Sequence, residues 1–109
     1  MNSRNKGKRG ELELVHVLKM HDFEVRRGQQ YSGANGDADV IGIEGLHIEC
    51  KRVEKLNINS ALMQAEADAR AGEMPCVMHR RNHEEWKATV RLDDFLKLWR
   101  AYEKERNNA

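Results

Sequence analysis

The sequence predicts one α/β (α+β) domain, a mixed central β-sheet flanked by helices, in the order α-β-β-β-α-β-β-α. Three observations carry that prediction. At 109 residues the chain has the usual length of a single domain and no room for a second, so residues 1–109 are taken together. Apolar residues recur at helical spacing near both ends and again in the middle. Between those segments lie short apolar runs, bounded by glycines and charged pairs, that have the length of strands.

The first helix is expected from residue 7 to about residue 21, after a basic arm over residues 1–6. Leu14, Val15 and Leu18 share one of its faces, and Lys8, Glu13 and Lys19 lie largely outside that face. Glu11 precedes the three apolar residues by three, four and seven positions and so belongs to the inward stripe. A carboxylate there needs a partner if buried, and a metal in a neighbouring hairpin would be one. The plain alternative is a glutamate at the rim of the stripe, favoured near a helix N-terminus in any case.

Phe23 to Arg27 is expected as a short strand, followed by a polar, glycine-rich loop from Gly28 to Gly36. Two more strands follow, around Val40-Ile41 and from Leu46 to Lys51, joined through Glu44-Gly45 where Gly45 is free to take a positive φ. Asn59-Ser60 is expected to cap a second helix with an alanine-rich face, ended by Gly72. Met74 to Arg80 and Trp86 to Arg91 supply the last strands, around a polar turn at residues 81–85. Asp93 or Asp94 is the expected cap of a final helix with Phe95, Leu98, Trp99 and Tyr102 inward, and residues 104–109 are expected to fray.

The hairpin holds the most reactive-looking set. Side chains alternate along a strand, so Leu46, Ile48 and Cys50 share one face and His47, Glu49 and Lys51 the other. A rise of about 3.3 Å per residue then brings Asp39, at the start of the preceding strand, near Glu49. Two carboxylates at close range repel, and either a shared proton or a hard divalent cation relieves them. An exposed hairpin with an ordinary Glu/Lys pair is the bland counterpart. His47 is a candidate general base on the same face, against the commoner structural role of a strand histidine; His16, His21, His79 and His83 lack zinc-site spacing.

Charge and composition exclude some classes and leave others open. Nineteen basic residues against eighteen acidic ones give a net charge of +1, which does not by itself mark a nucleic-acid binder. The basic residues are clustered, however: Arg4, Lys6, Lys8 and Arg9 near the start, then Arg26-Arg27, Lys51-Arg52 and Arg80-Arg81 at predicted strand ends. Such clusters suit a surface that follows phosphates, and singly each is equally a solvated edge. No apolar run approaches a membrane span, and the first residues lack the apolar stretch of a signal peptide, so an intracellular, cytoplasmic location without membrane association is expected. Cys50 and Cys76 fall inside strands without metal-like spacing and are expected as reduced thiols.

Gly7-x-x-x-Glu11 on a first helix, Asp39 before an apolar strand, Glu49-Cys50-Lys51 on the next and Gln64 on the following helix together resemble the PD-(D/E)xK nuclease superfamily. Within it the chain is most similar to small phage proteins related to archaeal-type Holliday-junction resolvases. The resemblance implies a restriction-endonuclease-like fold and spans most of the chain from Gly7 to the last helix. Asp39 matches the first aspartate of the motif, with Ala38 where proline is common; Asp37 is a rival, and Asp39 is preferred because it immediately precedes Val40-Ile41. Glu49 and Lys51 match the second acid and the lysine, Glu11 the helical glutamate of the resolvase branch, Gln64 a glutamine some branches add, and Ser32 lies in a loop resembling a serine-bearing one.

What the resemblance implies is Mg²⁺-dependent hydrolysis of DNA phosphodiesters to 5′-phosphate and 3′-hydroxyl ends, with Mn²⁺ able to substitute. Glu11, Asp39 and Glu49 with the Cys50 carbonyl would hold the metal, and Lys51 would serve the attacking water. A homodimer facing a four-way DNA junction is the expected assembly. The alternatives are a flap, end or duplex nuclease of the same fold and a catalytically silent DNA-binding protein.

Overall fold

A computed structural model describes residues 3–29 and 38–108, with side chains from Gly7 onward. Ser32 and Asp37, and the side chains of Arg4 and Lys6, lie outside the described residues. The elements are α1 (Ser3–Met20), β1 (Arg26–Arg27), β2 (Val40–Ile41), β3 (Leu46–Arg52), α2 (Ile58–Asp68), β4 (Met74–Arg80), β5 (Lys87–Thr89) and α3 (Leu92–Asn107). The predicted order holds throughout.

The strands form one sheet in the order β1-β2-β3-β4-β5. Three neighbouring pairs are antiparallel; β3 and β4 run parallel, with Leu46 opposite Met74 and Arg52 opposite Arg80. Parallel neighbours need a crossover, and α2 provides it. The two faces of β3 are therefore covered by different helices. Leu14 and Val15 of α1 pack with Val25, Val40 and Ile48 on one side, while Ala61 and Ala65 of α2 pack on Val77 on the other. Alternation along β3 thus sends Ile48 and Cys50 towards α1 and leaves Glu49 and Lys51 on the side of α2.

Two glycines shape the region around the site. A Cβ at Gly10 of α1 would stand 2.6 Å from Arg52 Cβ, so the helix can cross β3 this closely only without a side chain there. Gly42, at φ +124°, would place a Cβ 2.3 Å from the Glu24 carbonyl oxygen. The hairpin turn has Gly45 at φ +82°, the conformation expected of it.

Several local expectations are corrected. The first helix begins at Ser3, inside the segment expected as a basic arm, and not at residue 7. The cap of α2 is Asn57, whose side chain accepts from the Ser60 N–H, and the helix stops at Asp68, leaving Gly72 in the turn to β4. Ser60 is the donor in that cap because the first-turn amides need an acceptor placed just before them. Neither Asp93 nor Asp94 caps α3: its first residue follows Arg91, and Asp94 is buried against the Arg91 guanidinium at 2.9 Å. The aromatic side of α3 does not face a core; Phe95, Leu98, Trp99 and Tyr102 are each about half exposed. Both sheet faces are already covered by α1 and α2, and α3 runs on to Asn107 through the segment expected to fray. No helix among the described residues is long and apolar enough to cross a membrane.

Candidate functional site

Backbone pairing sets Asp39 in place before its side chain does anything. Its N–H donates to the Ile48 carbonyl at 3.0 Å and its carbonyl accepts from Gly28 N–H at 2.9 Å, so it is tied both to β3 and to the segment after β1. Asp39 Oδ2 in turn accepts the Cys50 N–H at 2.8 Å. The carboxylate is thereby aimed across β3 at Glu49, with which it shares a side-chain hydrogen bond. Glu49 is nearly fully buried, at 5% exposure. Burial first, and then the charge of Asp39, push its carboxyl up to about 7, against a smaller opposing effect from His47.

Glu11 joins from α1. Its side chain is 12% exposed and accepts from Arg27 Nε at 2.8 Å. Burial raises its carboxyl above the ordinary range, the hydrogen bond to Arg27 works in the opposite direction, and the charge of Asp39 raises it further. The helix brings Glu11 to the carboxylate pair because Gly10, one residue earlier, allows the close crossing over Arg52.

Lys51 follows Glu49 on the same strand face, and its Nζ donates to Gln64 Oε1 of α2 at 3.4 Å. Cys50, between them, points its thiol towards α1. Burial and the charges of Asp39, Glu11 and Glu13 push that thiol far up, so the sulfur stays protonated and the carbonyl is the only ligand Cys50 has to offer. Glu11, Asp39, Glu49, Lys51 and Gln64 are thus gathered around one end of β3.

The basic residues divide into two groups. Lys8, Arg9, Arg26 and Arg81 are exposed. Arg27 is engaged by Glu11, and both Arg52 and Arg80 donate to Glu13, with Arg52 also reaching Asn82 at 2.9 Å. Burial would raise the Glu13 carboxyl, but the two guanidiniums outweigh it and hold it below its ordinary range. Sequence reasoning placed Glu13 outside the apolar stripe and gave it no role; it is the brace that joins α1 to the ends of β3 and β4. Gly10 was likewise passed over in favour of Gly7, which has open space around it.

Asp39 and Glu49 offer hard oxygen donors to a divalent cation, although their ligand atoms and that of Glu11 do not form a group of three within 4.8 Å of one another. Asp39 and Glu49 are close enough to need either a proton or a cation between them, and Glu11 adds a third carboxylate within electrostatic reach. Arg27 is the cation that Glu11 meets in the protein alone.

The architecture is similar to that of the solved Archaeoglobus fulgidus Hjc, a Holliday junction resolvase from an archaeal hyperthermophile. The likeness has a TM-score of 0.53 at 21% sequence identity and covers 78% of this chain and 72% of that one. The shared feature is the restriction-endonuclease-like fold, a mixed five-stranded sheet flanked by helices. No protein-family model matches the chain, and no curated protein matches it.

Proposed function

We propose that the chain is a divalent-metal-dependent endodeoxyribonuclease whose substrate is branched DNA, the four-way junction above all. The observation that carries this reading is the pairing of Asp39 with Glu49, with Lys51 and Gln64 beside them and Glu11 over them. The likeness to a resolvase fold supports it.

Asp39, Glu49, Glu11 and the Cys50 carbonyl would hold Mg²⁺ or Mn²⁺, which when bound lowers the pKa of water and offsets charge on the attacked phosphate. The remaining work belongs to the chain. Gln64 Oε1 holds the Lys51 ammonium on the Glu49 side of β3, where it orients the attacking water and offsets the negative charge that grows on the phosphoryl oxygens. Asp39 cannot swing away, because its backbone is tied to two neighbouring segments and its Oδ2 to Cys50 N–H. The exposed Lys8, Arg9, Arg26 and Arg81 are the groups available to backbone phosphates, and they position DNA without reading its sequence. Hydrolysis breaks the P–O3′ bond, leaving 5′-phosphate and 3′-hydroxyl ends.

Two symmetrically placed cuts in a junction call for a two-fold homodimer. The half-exposed apolar side of α3 supports that part of the reading and is its proposed contact.

The test is cleavage of a labelled four-way junction and a duplex of matched sequence, with Mg²⁺ and with chelator. The expected result is metal-dependent cutting of the junction in preference to the duplex, lost in Asp39→Asn and reduced about 10²–10³-fold in Lys51→Ala. Equal rates on both substrates would remove the junction from the proposal. Wild-type cleavage by both variants would remove the site.

A further inference from the structure

Towards the start of β3, away from Lys51, the same strand face carries a second group of metal-binding side chains. His47 and Glu49 are two residues apart and 4% and 5% exposed. His47 Nε2 lies 3.0 Å from Glu49 Oε1, and His47 Nδ1 lies 3.7 Å from Glu73 Oε1. Asp68, the last residue of α2, completes the set: one ligand atom each from His47, Glu49 and Asp68 lie within 4.8 Å of one another.

The surroundings favour a cation. The C-terminal end of α2 directs the negative end of its dipole at this point, and no basic residue stands in its last turn. Glu73 adds a further carboxylate beside the imidazole. A cavity of about 390 Å³, lined in part by Ala38, His47, Asp68, Arg70 and Glu73, opens onto the group. Arg70 is the cation on its wall, and its backbone N–H is the donor that holds Glu73, at 2.8 Å. A buried imidazole that meets carboxylates at both ring nitrogens differs in kind from the all-oxygen set around Asp39.

We infer that His47, Glu49 and Asp68 form a second metal site, selective for a borderline transition ion of the Zn²⁺ or Co²⁺ class over Mg²⁺. One nitrogen and two carboxylates with open positions suit such ions, whereas Mg²⁺ prefers oxygen ligands and water. Glu49 belongs to both groups: it meets Asp39 on one side and His47 on the other. The site extends beyond the nuclease reading and does not depend on it, since it requires binding and no cleavage.

The experiment is titration of the metal-free full chain with Co²⁺, followed by visible absorption, and with Zn²⁺, followed by calorimetry. Wild type, His47→Gln, Asp68→Asn and Asp39→Asn are compared. Wild type is expected to develop Co²⁺ ligand-field bands that His47→Gln lacks, and each of His47→Gln and Asp68→Asn is expected to weaken Zn²⁺ by about tenfold or more. Asp39→Asn is expected to keep both signals. Asp68 is exposed at a helix end, so its substitution tests the site even if His47→Gln does not fold. Wild-type spectra and affinity in Asp68→Asn, or their loss in Asp39→Asn alone, would overturn the second site. A wild-type protein that shows these metal signals but cleaves neither junction nor duplex would instead count against the nuclease reading.

Discussion

Gly10 of α1 and Arg52 of β3 are in such close contact that a methyl group on the glycine would lie 2.6 Å from the arginine Cβ. The obstructing atom belongs to the stem of Arg52, whose head is bound to Glu13 and Asn82, so it has little freedom to retreat. The crossing of α1 over the sheet, and with it the position of Glu11, depends on that absent side chain.

Gly10→Ala is therefore expected to destabilise the protein by about 1–3 kcal/mol, the usual cost of overpacking, despite alanine's better helix propensity. Urea unfolding measures it. An increase in stability would mean that α1 shifts without resistance.

Glu49 gives the metal-free protein a pH dependence of definite sign. Its carboxyl is raised in the folded state to about 7 from an ordinary 4.5, so the folded protein binds the extra proton between those values and stability falls as pH rises through the interval. Glu49→Gln should remove that loss. In the presence of chelator its Tm is expected to exceed wild type at pH 8 and to converge with it near pH 4; parallel curves would contradict the burial assigned to this carboxyl.

The Arg27–Glu11 ion pair offers a direct probe of Glu11. Arg27→Gln leaves a largely buried carboxylate without its cation and is expected to lower Tm by on the order of 5 °C in chelator. Mg²⁺ should recover more of that loss than it adds to wild type, by linkage to a site that includes Glu11. Equal Mg²⁺ stabilisation of both proteins would exclude Glu11 from the ligand set.

On α3, Phe95 stacks on Trp99 at 6.1 Å between ring centroids, and Trp99 meets Tyr102 at 5.1 Å. This half-exposed row is the contact of the proposed dimer, so Trp99→Glu is expected to shift the mass measured by light scattering from dimer to monomer while leaving the melting curve of the fold largely in place. A wild-type protein that is monomeric at every concentration would refute the contact.

The element order and the hairpin were legible because local patterns carry them. Alternation from Leu46 to Lys51 and a glycine at the turn were enough to bring Asp39 and Glu49 together. The links between distant segments were not legible. Nothing near Glu13 signals that Arg52 and Arg80, 39 and 67 residues away, converge on it. The α3 expectation failed for a related reason: an apolar stripe announces that a face wants burial, but which surface covers it depends on what α1 and α2 have already taken. His47 was noted as a possible base on its strand face, and only the crossover geometry brings Asp68 to it.

The chain separations within the site also order its assembly. Asp39 meets Cys50 across eleven residues and Lys51 meets Gln64 across thirteen, whereas the Glu13 brace waits for β4. Short loops close first because they cost less entropy. On loop-closure entropy alone, Asp39 and Glu49 are expected to meet before the tertiary structure that restrains them exists, and at neutral pH the repulsion between the two carboxylates would oppose that early closure.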